Sequence, residues 1–175
     1  MEIVRIGEKL VSKAKIHRRI ERILDLRMSG MSQQEVAQQE GVDRSFISRL
    51  EGLGELRKGG RLALIGFPVA NKEEIAEIAH REGVEFLLLF NDKERWEVVS
   101  DLTGPELFNR IMEWIARLKE FDAVVFIGSD MRIRLAEAVL GQEVVVGLNL
   151  GESPIRGDRY VDPALVAEIL QGLRA

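Results

Sequence analysis

The chain has 175 residues, of which 46% are hydrophobic and 31% charged, and this composition allows one or two ordinary globular domains. The absence of cysteine excludes disulfides, thiol nucleophiles and cysteine metal sites. No apolar run approaches the roughly 18 residues that span a bilayer, and the N-terminus lacks a signal-peptide core, so we expect a cytoplasmic protein with no membrane partner.

Residues 2 to 7 predict a short strand or an ordered arm, and residues 13 to 28 predict a helix that Ser12 caps and Gly30 ends. The predicted solvent-exposed face of this helix is basic, with Lys13, Lys15, Arg18, Arg19 and Arg22. That face is either a phosphate-contacting surface or simply a solvated one, and the sequence leaves both open. It is the only helix evident before the next motif, so we expect a minimal N-terminal domain.

Residues 33 to 52 carry the most informative pattern, which begins with a short helix and a turn. Ser32 is a good N-cap, and Glu35 three positions later completes a capping box. Ala37 supplies a small side chain where a second helix crosses closely. Gly41 ends the helix at a position that favours left-handed backbone, and Val42 is the apolar residue of the turn.

A second helix follows the turn, and we expect Asp43 to cap it. Ile47 and Leu50 form an apolar stripe at helical spacing that packs back on Val36 and Ala37. The opposite, solvated face then carries Arg44, Ser45, Ser48 and Arg49.

This segment of about twenty residues resembles the helix-turn-helix of phage-repressor and Cro-like (Xre-type) regulators, on Val36, Ala37, Gly41, Val42, Ile47 and Leu50. The resemblance implies that the second helix lies in the major groove of double-stranded DNA and that the protein works as a homodimer. By the same resemblance Arg44, Ser45, Ser48 and Arg49 read bases. Gln33 and Gln34 contact phosphates near free helix N–H groups.

Charge and glycine content divide the chain after this motif. Residues 1 to 61 hold 13 Lys and Arg against 9 Asp and Glu, a net of +4, whereas residues 62 to 175 hold 12 against 20, a net of −8. A basic domain on an acidic remainder is typical of a DNA-binding module attached to a body that avoids phosphates. Residues 52 to 60 contain four glycines and predict a linker, so we expect domains over 1–58 and 59–175.

The second domain alternates apolar strands with helices, which predicts a doubly wound, Rossmann-like parallel sheet of about four strands. The predicted strands are residues 61–67, 85–90, 122–127 and 143–148, and the predicted helices are 72–81, 105–118, 131–140 and 162–173. Residues 91 to 101 are ambiguous, because Trp96, Val98 and Val99 could form an extra strand. The sequence does not give the strand order.

Ligands of such sheets bind beyond the carboxyl ends of the strands, where three loops meet. The loops offer small residues, helix N-termini and arginines that suit a small anion, at Gly66, Asn71, Gly128, Ser129, Asp130, Arg132, Arg156 and Arg159. Alternatively, Asn71 and Asp130 are helix caps and the glycines serve tight turns. Neither G-x-G-x-x-G nor G-x-x-x-x-G-K-[ST] follows the first strand, and we assign no cofactor, metal or catalytic residue.

These patterns favour a DNA-binding transcriptional regulator whose second domain senses an anionic effector or dimerises. Residues Trp114, Ile115 and Leu118 are either part of a dimer surface or sheet-facing core. Two alternatives remain open. One is an enzyme acting on a small anionic metabolite, with a carboxylate pair such as Asp130 and Asp158. The other is a protein-interaction module whose Arg44 and Arg49 would be paired to carboxylates.

Overall fold

A computed structural model describes residues 3–174 and shows an α/β protein. Over these residues the chain forms eight helices, a four-stranded parallel sheet and a two-stranded antiparallel sheet. It divides into two compact units, Met1–Glu55 and Leu56–Ala175. Among the described residues no helix has the length and apolar character needed to cross a membrane.

The first unit begins with a hairpin that the sequence did not reveal. Strands β1 (Ile3–Ile6) and β2 (Lys9–Ser12) pair antiparallel, with Ile6 opposite Lys9. Gly7 adopts a φ of 60°, which a two-residue hairpin turn requires and glycine accepts without strain. The expectation of one strand or an arm was therefore incomplete, because a Gly-Glu pair is a weaker turn signal than Asn-Gly or Asp-Gly.

Three helices follow the hairpin: α1 (Lys13–Met28), α2 (Gln33–Glu40) and α3 (Arg44–Gly54). Their core consists of Ile23, Val36, Ala37 and Ile47, which are buried, with Leu26, Met31, Val42 and Leu50 packed around them. This is the apolar stripe that the spacing predicts.

The predicted caps of these helices are mostly present. Ser12 accepts a hydrogen bond from the backbone of Lys15, and Ser32 and Glu35 form both bonds of the capping box. Gly41 has the left-handed conformation expected of it, with a φ of 63°. Asp43 occupies the N-cap position of α3, as predicted, but within the described residues its side chain makes no capping hydrogen bond. Asp43 is exposed, so water can satisfy its carboxylate instead.

The second unit contains the parallel sheet. Its strands are β3 (Leu62–Gly66), β4 (Phe86–Leu89), β5 (Ala123–Gly128) and β6 (Val145–Asn149), in the spatial order β4-β3-β5-β6. The helices are α4 (Lys72–Arg81), α5 (Asp92–Asp101), α6 (Gly104–Leu118), α7 (Asp130–Leu140) and α8 (Pro163–Leu173). The four predicted strands are all present, with ends that differ by one or two residues.

Apolar cores cover both faces of this sheet. Leu62 and Leu64 of β3 pack with residues of α4 and α8 such as Ile75 and Leu170. The alternate residues of the same strand pack on the other face with Ile133 of α7. Because both faces are covered, the strands are continuous apolar runs, as parallel strands usually are.

Helix α5 corrects the proposed extra strand at residues 91 to 101. Asn91 and Glu94 form a capping box, with hydrogen bonds of 2.8 and 3.0 Å. Lys93 and Glu97 add an ion pair at helical i,i+4 spacing, 3.5 Å long. These local signals outweigh the strand preference of Trp96, Val98 and Val99, which is a weak one.

Candidate functional site

Helix α3 presents one exposed surface, which we call the α3 face and define as Arg44, Ser45, Ser48 and Arg49. All four residues are exposed, because Ile47 and Leu50 turn the opposite side of the helix toward the core. Residues four positions apart on a helix are neighbours, so Arg44 lies beside Ser48 and Ser45 beside Arg49. The residues predicted to read bases thus lie together on one surface.

In the part of the chain that the structure describes, no acidic side chain pairs with the two arginines of the α3 face. Within residues 3–174 neither Arg44 nor Arg49 forms a salt bridge, and the Arg44 guanidinium donates only to the Gln33 side-chain oxygen, at 3.4 Å. Their charges and most of their N–H groups are therefore available to an external anion or base.

Gln33 and Gln34, the predicted phosphate contacts, differ in their surroundings. Gln33 is half-buried, and its amide donates to a Glu51 oxygen at 2.8 Å. The hydrogen bond from Arg27, and then that from Gln33, hold the pKa of Glu51 below its usual value. Gln33 therefore joins α2 to α3 beside a carboxylate, whereas Gln34 is exposed.

The basic face of α1 has a structural part that sequence reasoning missed. Arg19 and Arg22 both bind Glu40, whose side chain is completely buried at the end of α2. Lys13, Lys15 and Arg18 are exposed. A signal for this role was available, because Glu40 lies three and four positions after Ala37 and Val36 and so shares their core-facing side.

In the second unit the three predicted ligand loops meet at the carboxyl end of the sheet. Residues 150 to 161 run along this edge and bond to each neighbouring loop. Leu150 N–H donates to Gly128 at 2.8 Å, and Arg159 N–H donates to Pro68 at 3.1 Å. The Asp158 carboxylate accepts from the first N–H of α5 at 2.6 Å.

Several of the predicted ligand groups are engaged inside this edge. The Asn71 amide both donates to and accepts from the backbone of Val161, at 2.9 Å each, and makes no cap for α4. Asp130 accepts from Ser153 N–H at 2.9 Å and pairs with Arg134 at 3.0 Å. The backbone hydrogen bonds from Ser153 and then Met131 lower the pKa of Asp130, so it remains ionised at neutral pH.

Four other predicted ligand residues fall into two groups. Gly66 and Gly128 end buried strands, and a Cβ added at Gly66 would lie 2.8 Å from a Leu89 methyl, so close packing accounts for that glycine. Arg156 and Arg159 are exposed, and the described part of the chain offers them no salt bridge.

Between residues 3 and 174 no group of three or more His, Asp or Glu side chains is placed to hold a metal ion. Asp130 and Asp158, considered as a catalytic pair, instead bond to the backbone at the starts of different segments, Ser153 and Asp92.

The second unit also contains an apolar cavity of about 500 Å³ that the sequence did not predict. It lies between one face of the sheet and helices α5, α6 and α7. Strand residues Ile65, Leu88 and Phe126 contribute to its wall, and both tryptophans of the chain, Trp96 and Trp114, line it. The stretch considered either dimer surface or core lines the same cavity, with Leu118 buried and Trp114 and Ile115 half-buried.

Two arginines are the charged groups among the cavity-lining residues. Arg132 extends from α7 and stacks on the Phe67 ring, 5.1 Å from its centroid. Burial, and then the positive charge of Arg95, lower the pKa of Arg132. Among residues 3–174 its buried Nη1 has no hydrogen-bond partner, and the same holds for the Ser129 hydroxyl at the start of α7.

Arg95 extends from α5, and its side chain is only 12% exposed. Its Nη2 donates to the carbonyl of Ile155 at 3.0 Å and lies 2.6 Å from Asp92 Oδ1, an ion pair without hydrogen-bond alignment. Its Nε and Nη1 are buried, and the described chain supplies no acceptor for them. Sequence reasoning missed Arg95 because it lies in the segment interpreted as ambiguous.

Comparison with protein-family models, with curated proteins and with solved structures gave no match for this chain.

Proposed function

We propose that this protein is a sequence-specific DNA-binding regulator. In this proposal the first unit carries a helix-turn-helix, and the second is a doubly wound domain that senses an effector or dimerises. The observation that supports it best is the α3 face, a cluster of exposed arginines and serines on a helix that packs against α2 through buried apolar residues.

The chemistry of the α3 face suits base edges in the major groove. An arginine fork reaches O6 and N7 of guanine together, and each such pair contributes about 1–3 kcal/mol of discrimination. Serine is less selective and tolerates several bases. The exposed residues Lys13, Lys15 and Arg18 of α1 and Gln34 of α2 would supply phosphate contacts, which position a protein without reading sequence.

The geometry favours this function over a protein-interaction module. A module of that kind would pair Arg44 and Arg49 with carboxylates, and in the described residues they have none. An enzyme has less support, because the groups lining the cavity include Arg95 and Arg132 but, within residues 3–174, no carboxylate or histidine to move a proton.

Selection of bound sequences from a random duplex pool tests the proposal. It should be done with the whole chain at near-physiological salt, since low salt inflates phosphate-driven binding. We expect a palindromic site whose half-sites are about 10 base pairs apart or a multiple of that, as two copies of the motif require. Recovery of nothing above background would contradict the proposal.

Two double variants that remove the same charge separate base-specific recognition from nonspecific electrostatic attraction to DNA. The double variant Arg44→Ala/Arg49→Ala should lose the sequence preference while the fold is retained. Arg110→Ala/Lys119→Ala removes the same charge from two exposed positions, one in α6 and one directly after it, and should keep the sequence preference. Equal effects of the two double variants would show that net charge, rather than the α3 face, governs binding.

A further inference from the structure

We propose that the cavity of the second unit binds a monocarboxylic acid with a large apolar body, whose carboxylate lies between Arg95 and Arg132. This ligand class deepens the effector part of the proposed function. It rests on the cavity itself, however, and its test measures ligand binding without DNA.

The walls of the cavity suit an apolar body. Its volume of about 500 Å³ is within the range of pockets that bind small organic ligands, and the pocket is partly open, since its lining residues Trp96, Ile111 and Leu135 are exposed. Aromatic groups line it, including Phe90 and Trp114 with ring centroids 6.5 Å apart. Aliphatic residues from three helices complete the wall, among them Val98, Leu107, Ile111, Leu135, Ala136 and Val139.

The charges of the cavity suit one carboxylate. Arg95 and Arg132 bring two positive charges, and the ion pair with Asp92 balances one of them. One positive charge is left in a largely apolar setting, where an unmatched ion is costly. A single anionic group would remove that cost.

The hydrogen-bond donors agree with the charges. Arg95 Nε, Arg95 Nη1 and Arg132 Nη1 are buried donors for which the residues from 3 to 174 supply no acceptor. A carboxylate has two oxygens with lone pairs for several donors, and the planar guanidinium matches its geometry. The Arg132 guanidinium lies over the Phe67 ring, which leaves its buried Nη1 unpartnered within the described residues.

A nucleotide fits this cavity less well than an organic acid. Its ribose and phosphates carry more polar groups than two arginines can satisfy, and burying unsatisfied polar groups is unfavourable. The absence of a phosphate-binding fingerprint after β3 points the same way.

Octanoate is the probe for the test, and 1-octanol is its uncharged match of equal chain length. Both tryptophans line the cavity, so intrinsic fluorescence of the whole protein reports binding directly. We expect a saturable change with octanoate and an affinity at least about tenfold lower for 1-octanol, as hydrogen bonds to charged groups imply. Equal affinity for the two compounds would overturn the role of the arginines without reference to any variant.

Three substitutions locate the site. Arg132→Met should weaken octanoate about tenfold or more, while the thermal unfolding midpoint of the free protein stays equal or rises, because an unmatched charge is removed. Arg134→Met changes an exposed arginine of the same helix and should leave the affinity unchanged. Ala136→Phe fills the cavity and should abolish binding with both arginines in place.

The contrary results are distinct. Unchanged octanoate affinity in Arg132→Met would overturn the proposal, as would the absence of a saturable signal in the unmodified protein. The unmodified protein could give no octanoate signal and also be a dimer that Phe108→Glu/Met112→Glu converts to a monomer. In that case a second copy of this chain, rather than a ligand, covers the exposed side of α6. If octanoate binds but does not change the affinity of the protein for DNA, the ligand site is supported and only the effector part of the proposed function is contradicted.

Discussion

The carboxylate of Glu40 accepts two parallel hydrogen bonds from the guanidinium of Arg22, each 2.8 Å long, while the Glu40 side chain is completely buried. The arginine itself is largely exposed, with 67% of its side chain accessible. This asymmetric pair joins the end of α2 to α1. The removal of Arg22 therefore leaves a buried charge with Arg19 alone, at 3.6 Å.

Arg22→Ala should destabilise the first unit by about 1.5–3 kcal/mol, the usual contribution of hydrogen bonds to a charged group. Amide hydrogen exchange of residues 33 to 40 measures this in the whole protein, since α2 should lose protection. Arg18→Ala is the control, because Arg18 is an exposed basic residue of the same helix, and its removal should change stability by less than about 0.5 kcal/mol. Equal effects of the two variants would contradict the role assigned to Glu40.

The first unit should lose stability in acid through Glu35 and Glu51. Hydrogen bonds from the Ser32 backbone and hydroxyl lower the pKa of Glu35, and those from Arg27 and Gln33 lower the pKa of Glu51. A carboxyl whose folded pKa is depressed stabilises the fold above its unfolded pKa, about 4.5 here, and loses that contribution as pH falls through the folded value.

The protection factors of the α2 and α3 amides, which correct for the pH dependence of intrinsic exchange, should therefore fall only below about pH 4.5. The double variant Glu35→Gln/Glu51→Gln should be less stable at neutral pH, and its stability should fall less steeply as the pH is lowered. Glu21→Gln removes an exposed carboxylate that makes no hydrogen bond or ion pair within the described residues, and it should retain the slope of the unmodified protein. A double variant with the original slope would refute the assignment.

Local signals in the sequence were sufficient to predict most of the architecture. The parallel strands are visible because both faces are buried, which makes each of them a continuous apolar run. Helix α5 was not visible in the same way, because its β-branched and aromatic residues also suit a strand and its capping box at Asn91 and Glu94 was overlooked. The strand order depends on contacts distant in sequence, which no local pattern contains.

Gly41, which follows α2, and Gly52 of α3 should respond to substitution in opposite directions. Gly41 has a φ of 63°, where an added Cβ costs roughly 1–2 kcal/mol. Gly52 lies in α3 without a positive φ and with open space at its Cβ position, so alanine there should stabilise the helix by about 0.5–1 kcal/mol. Hydrogen exchange of the α3 amides in Gly41→Ala and Gly52→Ala measures both. If both substitutions change the stability in the same direction, the left-handed conformation of Gly41 does not determine the effect of an added Cβ.

The cavity of the second unit could be predicted from the sequence only in part. Arg132 was expected to bind an anion because it opens a helix after a strand, but its partner Arg95 was not. Once residues 92 to 101 are recognised as a helix, Arg95 shares a side with Val98 and Val99, three and four positions later. An arginine on an apolar helix face is the signal that was available. The cavity volume itself depends on how α6 packs, which the sequence does not specify.

Asn71 provides a prediction that separates a structural role from a ligand-binding one. Its amide forms two 2.9 Å hydrogen bonds with the backbone of Val161, and Val161 is only 4% exposed. Asn71→Ala would leave a buried N–H and a buried C=O without partners, so it should lower the free energy of unfolding of the second unit by about 1–3 kcal/mol.

Urea unfolding followed by tryptophan fluorescence measures this change, since both tryptophans belong to the second unit. Asn109→Ala is the matched control, because Asn109 is an exposed residue of α6 and its substitution should leave the midpoint in place. If Asn71 instead served only a ligand, as its place at the carboxyl end of the sheet suggested, Asn71→Ala would unfold at the same urea concentration as the unmodified protein. A lowered midpoint with an unchanged slope would identify the Asn71–Val161 link as a structural clamp that holds residues 150 to 161 across the end of the sheet.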